Sequence, residues 1–197
     1  MERGAATQGQ VARQMAGAEA IEIKATVPDH QIRQALERFN LTESNDEERY
    51  VYFFDTPKLD LLGAGIIARA RRVVGDTHDS TVKFRPVNPA DVGQKWRRYP
   101  DFKIEADASE SAFVKSASFS MPVLRGDIKR VAMGKKPISA IFTPAQMKFL
   151  EKTAAITSIS RASSCWGRLS PSAGASRTPV ARGRSLRSFG SAATASE

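Results

Sequence analysis

Apolar and polar residues alternate in five stretches of the chain, and each alternation predicts a strand. In Ala20–Val27, Ile21, Ile23, Ala25 and Val27 share one face, and Ala20, Glu22, Lys24 and Thr26 share the other. Arg49–Phe54 is aromatic and leads into Asp55-Thr56-Pro57, where proline ends the strand and Asp55 is expected to bond its own backbone two residues on. Ile66–Val73 places Ile67, Arg69, Arg71 and Val73 opposite Ile66, Ala68, Ala70 and Arg72. Thr81–Arg85 sets Thr81, Lys83 and Arg85 against Val82 and Phe84, and Asp101–Ala108 sets Lys103, Glu105 and Asp107 against Phe102, Ile104 and Ala106.

Between these strands the spacing changes. Ile32, Leu36 and Phe39 predict a helix over His30–Phe39, with Asp29 as its cap. Lys58–Ala64 predicts a short helical turn that Gly63 and Gly65 stop. Gly75-Asp76 marks a hairpin reaching to Ser80. Trp96–Pro100 is read as a strand start and Ser109–Ala117 as a short helix, while Met121–Met133 fits neither period. A last helix begins at Phe142, with Thr143 at its N-cap and Pro144 in its first turn.

The charged faces carry the chemistry. Glu22/Lys24, Arg69/Arg71, Lys83/Arg85 and Glu105/Asp107 each place two charges two residues apart on one strand face, with Lys103 beside the last pair. An antiparallel sheet with one solvated side produces the same period. Here, however, cations and acids segregate by strand, and like charges on facing strands repel unless an anion sits among them. Guanidinium forks suit phosphate oxygens. Trp96-Arg97-Arg98-Tyr99 mixes cations with aromatics, as nucleic-acid sites do, but a cluster of four beside a loop reads more simply as an edge.

The run Tyr52–Arg72, YFFDTPKLDLLGAGIIARARR, resembles the signature of the CYTH superfamily, the triphosphate tunnel metalloenzymes. That family includes class IV adenylyl cyclases, thiamine triphosphatases and inorganic tri- and polyphosphatases. The Phe142-x-x-x-Gln146-x-x-Phe149-Leu150 pattern is similar to a helix of the same family. The resemblance implies an α+β fold built on a closed antiparallel β-barrel, the triphosphate tunnel, with flanking helices. It implies that Arg69, Arg71, Lys83 and Arg85 cradle triphosphate oxygens, with Lys24 touching a phosphate or the acid beside it. Lys24, Arg69 and Arg71 are the expected catalytic residues. Glu22, Glu105 and Asp107 are the expected ligands of Mg²⁺ or Mn²⁺. The expected partner is a small triphosphate or polyphosphate such as inorganic triphosphate, thiamine triphosphate or ATP, hydrolysed or cyclised. The alternatives are a binding module without turnover and polyanion binding through the tail. Ala20 departs from the family's first strand, which reads Glu-x-Glu-x-Lys, and metal affinity suffers by it.

Composition sets the boundaries. The chain has 197 residues, expected as a leader (1–18), one CYTH-like domain (19–153) and a tail (154–197). The tail holds six of the 30 basic residues and one of the 21 acidic ones, so it carries more than half of the net charge of +9. Its Ser, Ala, Arg and Gly bias predicts disorder and is also what a GC-rich gene read out of frame would encode. The barrel is therefore expected to be incomplete at its C-terminal end. One cysteine, Cys165, excludes an internal disulfide, and two histidines exclude a poly-His metal site. No apolar run is long enough to cross a bilayer, and the expected location is cytoplasmic, with no membrane and no nucleic-acid partner.

Overall fold

The computed structural model describes residues 13, 15–23, 27–39, 46–109, 112–156, 170–171 and 176–181. The fold is α+β. Its strands are β1 (Ala20–Ile23), β2 (Asp46–Asp55), β3 (Ile66–Val73), β4 (His78–Phe84), β5 (Phe102–Ala108), β6 (Phe113–Val123), β7 (Ser170–Pro171) and β8 (Ser176–Ala181). Its helices are α1 (Ile32–Arg38), α2 (Asp60–Gly63), α3 (Arg125–Ala132) and α4 (Pro144–Ile156). The strands form one sheet in the order β1-β5-β6-β4-β3-β2-β7, with β8 also on β2.

Two features depart from a closed antiparallel barrel. Among the described residues no pairing joins β1 to the β2 end, so the sheet is open. In addition, β1 runs parallel to β5, with Glu22 opposite Asp107. The other described pairings are antiparallel.

The even-numbered face of the central strands packs against helices. Ala68, Ala70, Val82, Phe84, Phe102 and Ile104 join Ile128 and Val131 of α3 and Phe149 and Leu150 of α4 in one core. Phe149 meets Phe102 and Phe119 edge-on, at 5.5 and 6.1 Å between centroids. Trp96 belongs to this core, 5.2 Å from Phe149, and forms a single helical turn with Arg97 and Arg98 rather than a strand. Arg97 reaches Glu19 and the Pro89 carbonyl, so this aromatic-basic cluster is built into the fold.

The largest correction concerns Phe113–Val123. Its small residues suggested a helix up to Ala117, yet it is the strand between β4 and β5. Ala117 and Phe119 face the helices, and Ser116, Ser118 and Ser120 alternate to the other side. The hairpin before it closes through Ser109 N–H to Ala112 O, with the Ser109 hydroxyl accepting from Ala112 N–H. Two neighbouring ladders outweigh weak helical propensity here. The strand expected from Thr81 begins earlier, at His78, and β2 begins at Asp46 rather than Arg49. The first helix is a single turn followed by α1, and Asp29 makes no side-chain cap. In the tail, the backbone of β8 pairs with β2 from Asp46 to Val51; the rest of the reading of that segment as disordered lies outside the described residues.

Local chemistry explains the Asp-Thr-Pro turn. Asp55 does not bond two residues on. Its Oδ1 accepts from Thr56 N–H and Leu61 N–H, and its Oδ2 from Leu62 N–H. One carboxylate thereby satisfies the open end of α2. Thr56 Oγ1 donates to Asp60 and accepts from its N–H. Gly65 follows at φ 72°, and its carbonyl accepts from Arg85 N–H at 2.8 Å. A Cβ there would collide with the Arg85 carbonyl, so only glycine lets β3 and β4 start together.

Gln146 ties α4 to the sheet. Fully buried, it donates from Nε2 to the carbonyls of Ser80 and Phe119, both at 3.0 Å. Its Oε1 accepts from Thr143 N–H at 3.0 Å while Thr143 Oγ1 accepts from Gln146 N–H, which is a reciprocal capping box. Replacing the amide by Leu strands several buried polar groups at once. Gln146→Leu should therefore lose about 2–3 kcal/mol of unfolding free energy by urea denaturation; an unchanged midpoint would show that the amide does not anchor the helix.

Candidate functional site: a charged face on the open side of the sheet

The odd-numbered face, away from α3 and α4, carries the charges predicted from the sequence. Register places Arg69 beside Phe53 and Thr81, and Arg71 beside Val51 and Asp79. Ser118 lies between Lys83 and Lys103, and Ser116 beside Glu105. Ser116 and Ser118 occupy the middle of this face. The Lys83 Nζ lies 3.0 Å from Asp107 Oδ2, and both residues are only 8% exposed.

Charges on separate strands of this face act on one another: Glu22 of β1 opposes the downward shift of the Arg69 guanidinium.

Arg69 is the electrostatic centre of this face. Burial pushes its guanidinium below the usual arginine value, Arg71 adds to the effect, and Asp79 and Glu22 oppose it. Arg49 contributes a further push downward. The Arg69 Nε is buried with no hydrogen-bond partner among the described residues. Arginine does not shed its proton in proteins, so the site holds a desolvated cation whose donors are incompletely used. Arg71 differs: its Nε donates to both oxygens of Asp79, at 3.1 and 2.9 Å. Thr81 Oγ1 donates to Asp79 Oδ1 at 3.0 Å and lies 2.9 Å from Ser120 Oγ.

The structure thus brings Arg69, Arg71, Lys83 and Asp107 onto one face, with Glu105 half-buried and Glu22 exposed beside them. It leaves Arg85 exposed, just past the end of β4. Lys24 lies outside the described residues. Lys103 is exposed. Sequence reasoning missed Asp79, which fixes Arg71. Its alternation with Thr81 and Lys83 was the available signal, obscured because the hairpin was expected to extend to Ser80. Two cavities of about 500 and 530 Å³ lie elsewhere on the molecule.

The carboxylates form no protein-only metal cage. No group of three or more His, Cys, Asp or Glu side chains converges for a metal among the described residues, and Asp107 is held by Lys83. What remains on this face is a set of hard carboxylate oxygens, Glu22 and Glu105, beside the cations of β3.

The Lys83–Asp107 pair sets a measurable expectation. Asp107→Ala leaves a buried ammonium without its partner and should cost about 3–5 kcal/mol in chemical denaturation, whereas the double change Lys83→Met with Asp107→Leu should recover most of that loss. Equal losses in the single and double variants would show that the pair is not the source of the stability. No protein-family model and no curated protein matches this chain.

Proposed function

We propose that the charged face binds the phosphate chain of a triphosphate-containing compound, such as inorganic triphosphate, thiamine triphosphate or ATP. One observation carries this reading: Arg69 is a half-buried cation, its pKa pushed down by desolvation and by Arg71, with an unused buried donor at Nε. Such a group costs stability unless an anion occupies the face. A triphosphate supplies a row of oxygens for Arg69 and Arg71 together, and Lys83 can exchange Asp107 for a phosphate oxygen. Asp79 keeps the Arg71 fork in place while this happens. Arg85, exposed at the strand end, serves the outer end of the phosphate chain. The open sheet is read as a tunnel-type barrel lacking part of its wall.

The reaction proposed is hydrolysis of a terminal phosphate or cyclisation of a nucleoside triphosphate. Phosphoryl transfer needs positioning and charge neutralisation more than protein nucleophiles, and this face offers both. Glu22 and Glu105 are the carboxylates that would hold Mg²⁺ or Mn²⁺ together with the substrate; the ion supplies charge neutralisation and a Lewis acid at the phosphate. Arg69 and Arg71 hold the phosphate oxygens in line, and Glu105 orients water on the accessible side.

A second reading, binding without turnover, is favoured by one specific observation: Asp107 is committed to Lys83, which removes one of three expected metal ligands. Phosphate release from tripolyphosphate with Mg²⁺ or Mn²⁺ separates the two. Among the described residues no helix is long and apolar enough to cross a membrane, which agrees with a substrate presented in water.

A trade between stability and binding tests the common part of both readings. Arg69→Met removes a desolvated cation and should raise unfolding free energy by about 1 kcal/mol. The same change should weaken tripolyphosphate binding at least tenfold by calorimetry and abolish the rise in Tm that ligand gives the parent protein through mass action. A destabilised Arg69→Met variant that still binds tripolyphosphate would overturn the assignment.

A further inference from the structure

On the opposite face, at the β3–β4 hairpin, lies a cavity of about 530 Å³ between the hairpin and the start of α3. Alternation takes Arg72, paired with Tyr50, to the side away from Arg69 and Arg71. Its guanidinium sits 5.2 Å above the Tyr50 ring, which orients it without neutralising it. Arg125 borders the same cavity from the first turn of α3. Neither arginine makes an ion pair among the described residues. His78 lines the cavity too. It is 9% exposed, its Nδ1 accepts from Val73 N–H at 3.4 Å, and its Nε2 is buried with no partner among the described residues. With Nδ1 facing that N–H, Nε2 is the ring nitrogen left without a partner among the described residues. Val74 and Leu124 also line the cavity, 48% and 78% exposed.

We propose that this cavity is a second ligand site, distinct from the charged face, for a small organic phosphate monoester. Three kinds of group converge on that chemistry. Arg72 and Arg125 offer guanidinium forks to a doubly charged phosphate. The imidazole of His78 supplies a further donor. Val74 and Leu124 form an apolar wall for the organic body of the ligand, and the volume falls in the range of small-molecule sites. Asp76 shares the cavity, and its Oδ1 accepts from Thr77 N–H at 2.6 Å; two arginines against this one carboxylate leave the cavity positive. That balance favours a dianion over a singly charged carboxylate.

The full chain labelled with ¹⁵N in its two histidines allows a direct test, since His30→Gln identifies the His78 ring signals. Phenyl phosphate is the probe, with benzoate and phenol as the carboxylate and neutral arms. Phenyl phosphate should shift the His78 Nε2 signal saturably and bind at least fivefold tighter than benzoate, with phenol causing no saturable shift. Arg125→Glu, an exposed change that suits a helix start, should weaken phenyl phosphate at least tenfold, and Arg72→Ala should do the same. Arg69→Met should leave the His78 response intact, which keeps this site independent of the proposed triphosphate face. The proposal falls if His78 does not shift, if phenol matches phenyl phosphate, if the response survives Arg125→Glu, or if Arg69→Met abolishes it.

Discussion

A half-buried guanidinium held beside a second guanidinium is the constraint around which the charged face is arranged. Arg69 sits on a strand whose other face must pack against helices, so it cannot turn away without exposing Ala68 and Ala70. Its charge persists at any ordinary pH. The surroundings reduce the cost in two ways. Arg71 is drawn off by Asp79, and Glu22 opposes the effect of desolvation from β1. Neither gives the buried Arg69 Nε a hydrogen-bond partner among the described residues.

The rest of the architecture serves that face by holding the sheet rigid from behind. Gln146 clamps α4 to β4 and β6 through two main-chain carbonyls. The aromatic cluster of Trp96, Phe102, Phe119 and Phe149 fills the layer beneath. Asp55 closes α2 with three bonds to backbone N–H groups, and Gly65 lets the next two strands start at the same level. The segment from Tyr52 to Arg72 is thus largely structural in its first half, where Asp55 and Asp60 serve the turn, and it places charges on the sheet face only after Gly65. The lack of a match to any family model leaves the functional reading on this geometry.

The Lys83–Asp107 pair links the two kinds of group on the face. As long as it stands, a cation and an acid are both occupied and a buried charge is compensated. A phosphate bound as proposed would compete with Asp107 for the same ammonium. Exchange of one anion for another costs little Coulombic energy, because the charge on the lysine is met in both states.

The alternation over Ile66–Val73 and over Phe102–Ala108 determined those strands and the side each charge takes, because a period of two leaves one choice once the apolar face is buried. The helix at Pro144 and the turn at Asp55 were likewise legible, since caps and prolines act within a few residues. Which charges become enclosed was not. Lys83 and Arg85 share a period, yet one is buried against Asp107 and the other is exposed past the strand end, because enclosure depends on the strands that pair on either side of Lys83 and stop before Arg85. The strand at Phe113–Val123, the parallel pairing of β1 and the role of Asp79 were decided by tertiary structure for the same reason. Small residues with weak local preference take the conformation that partners distant in sequence complete.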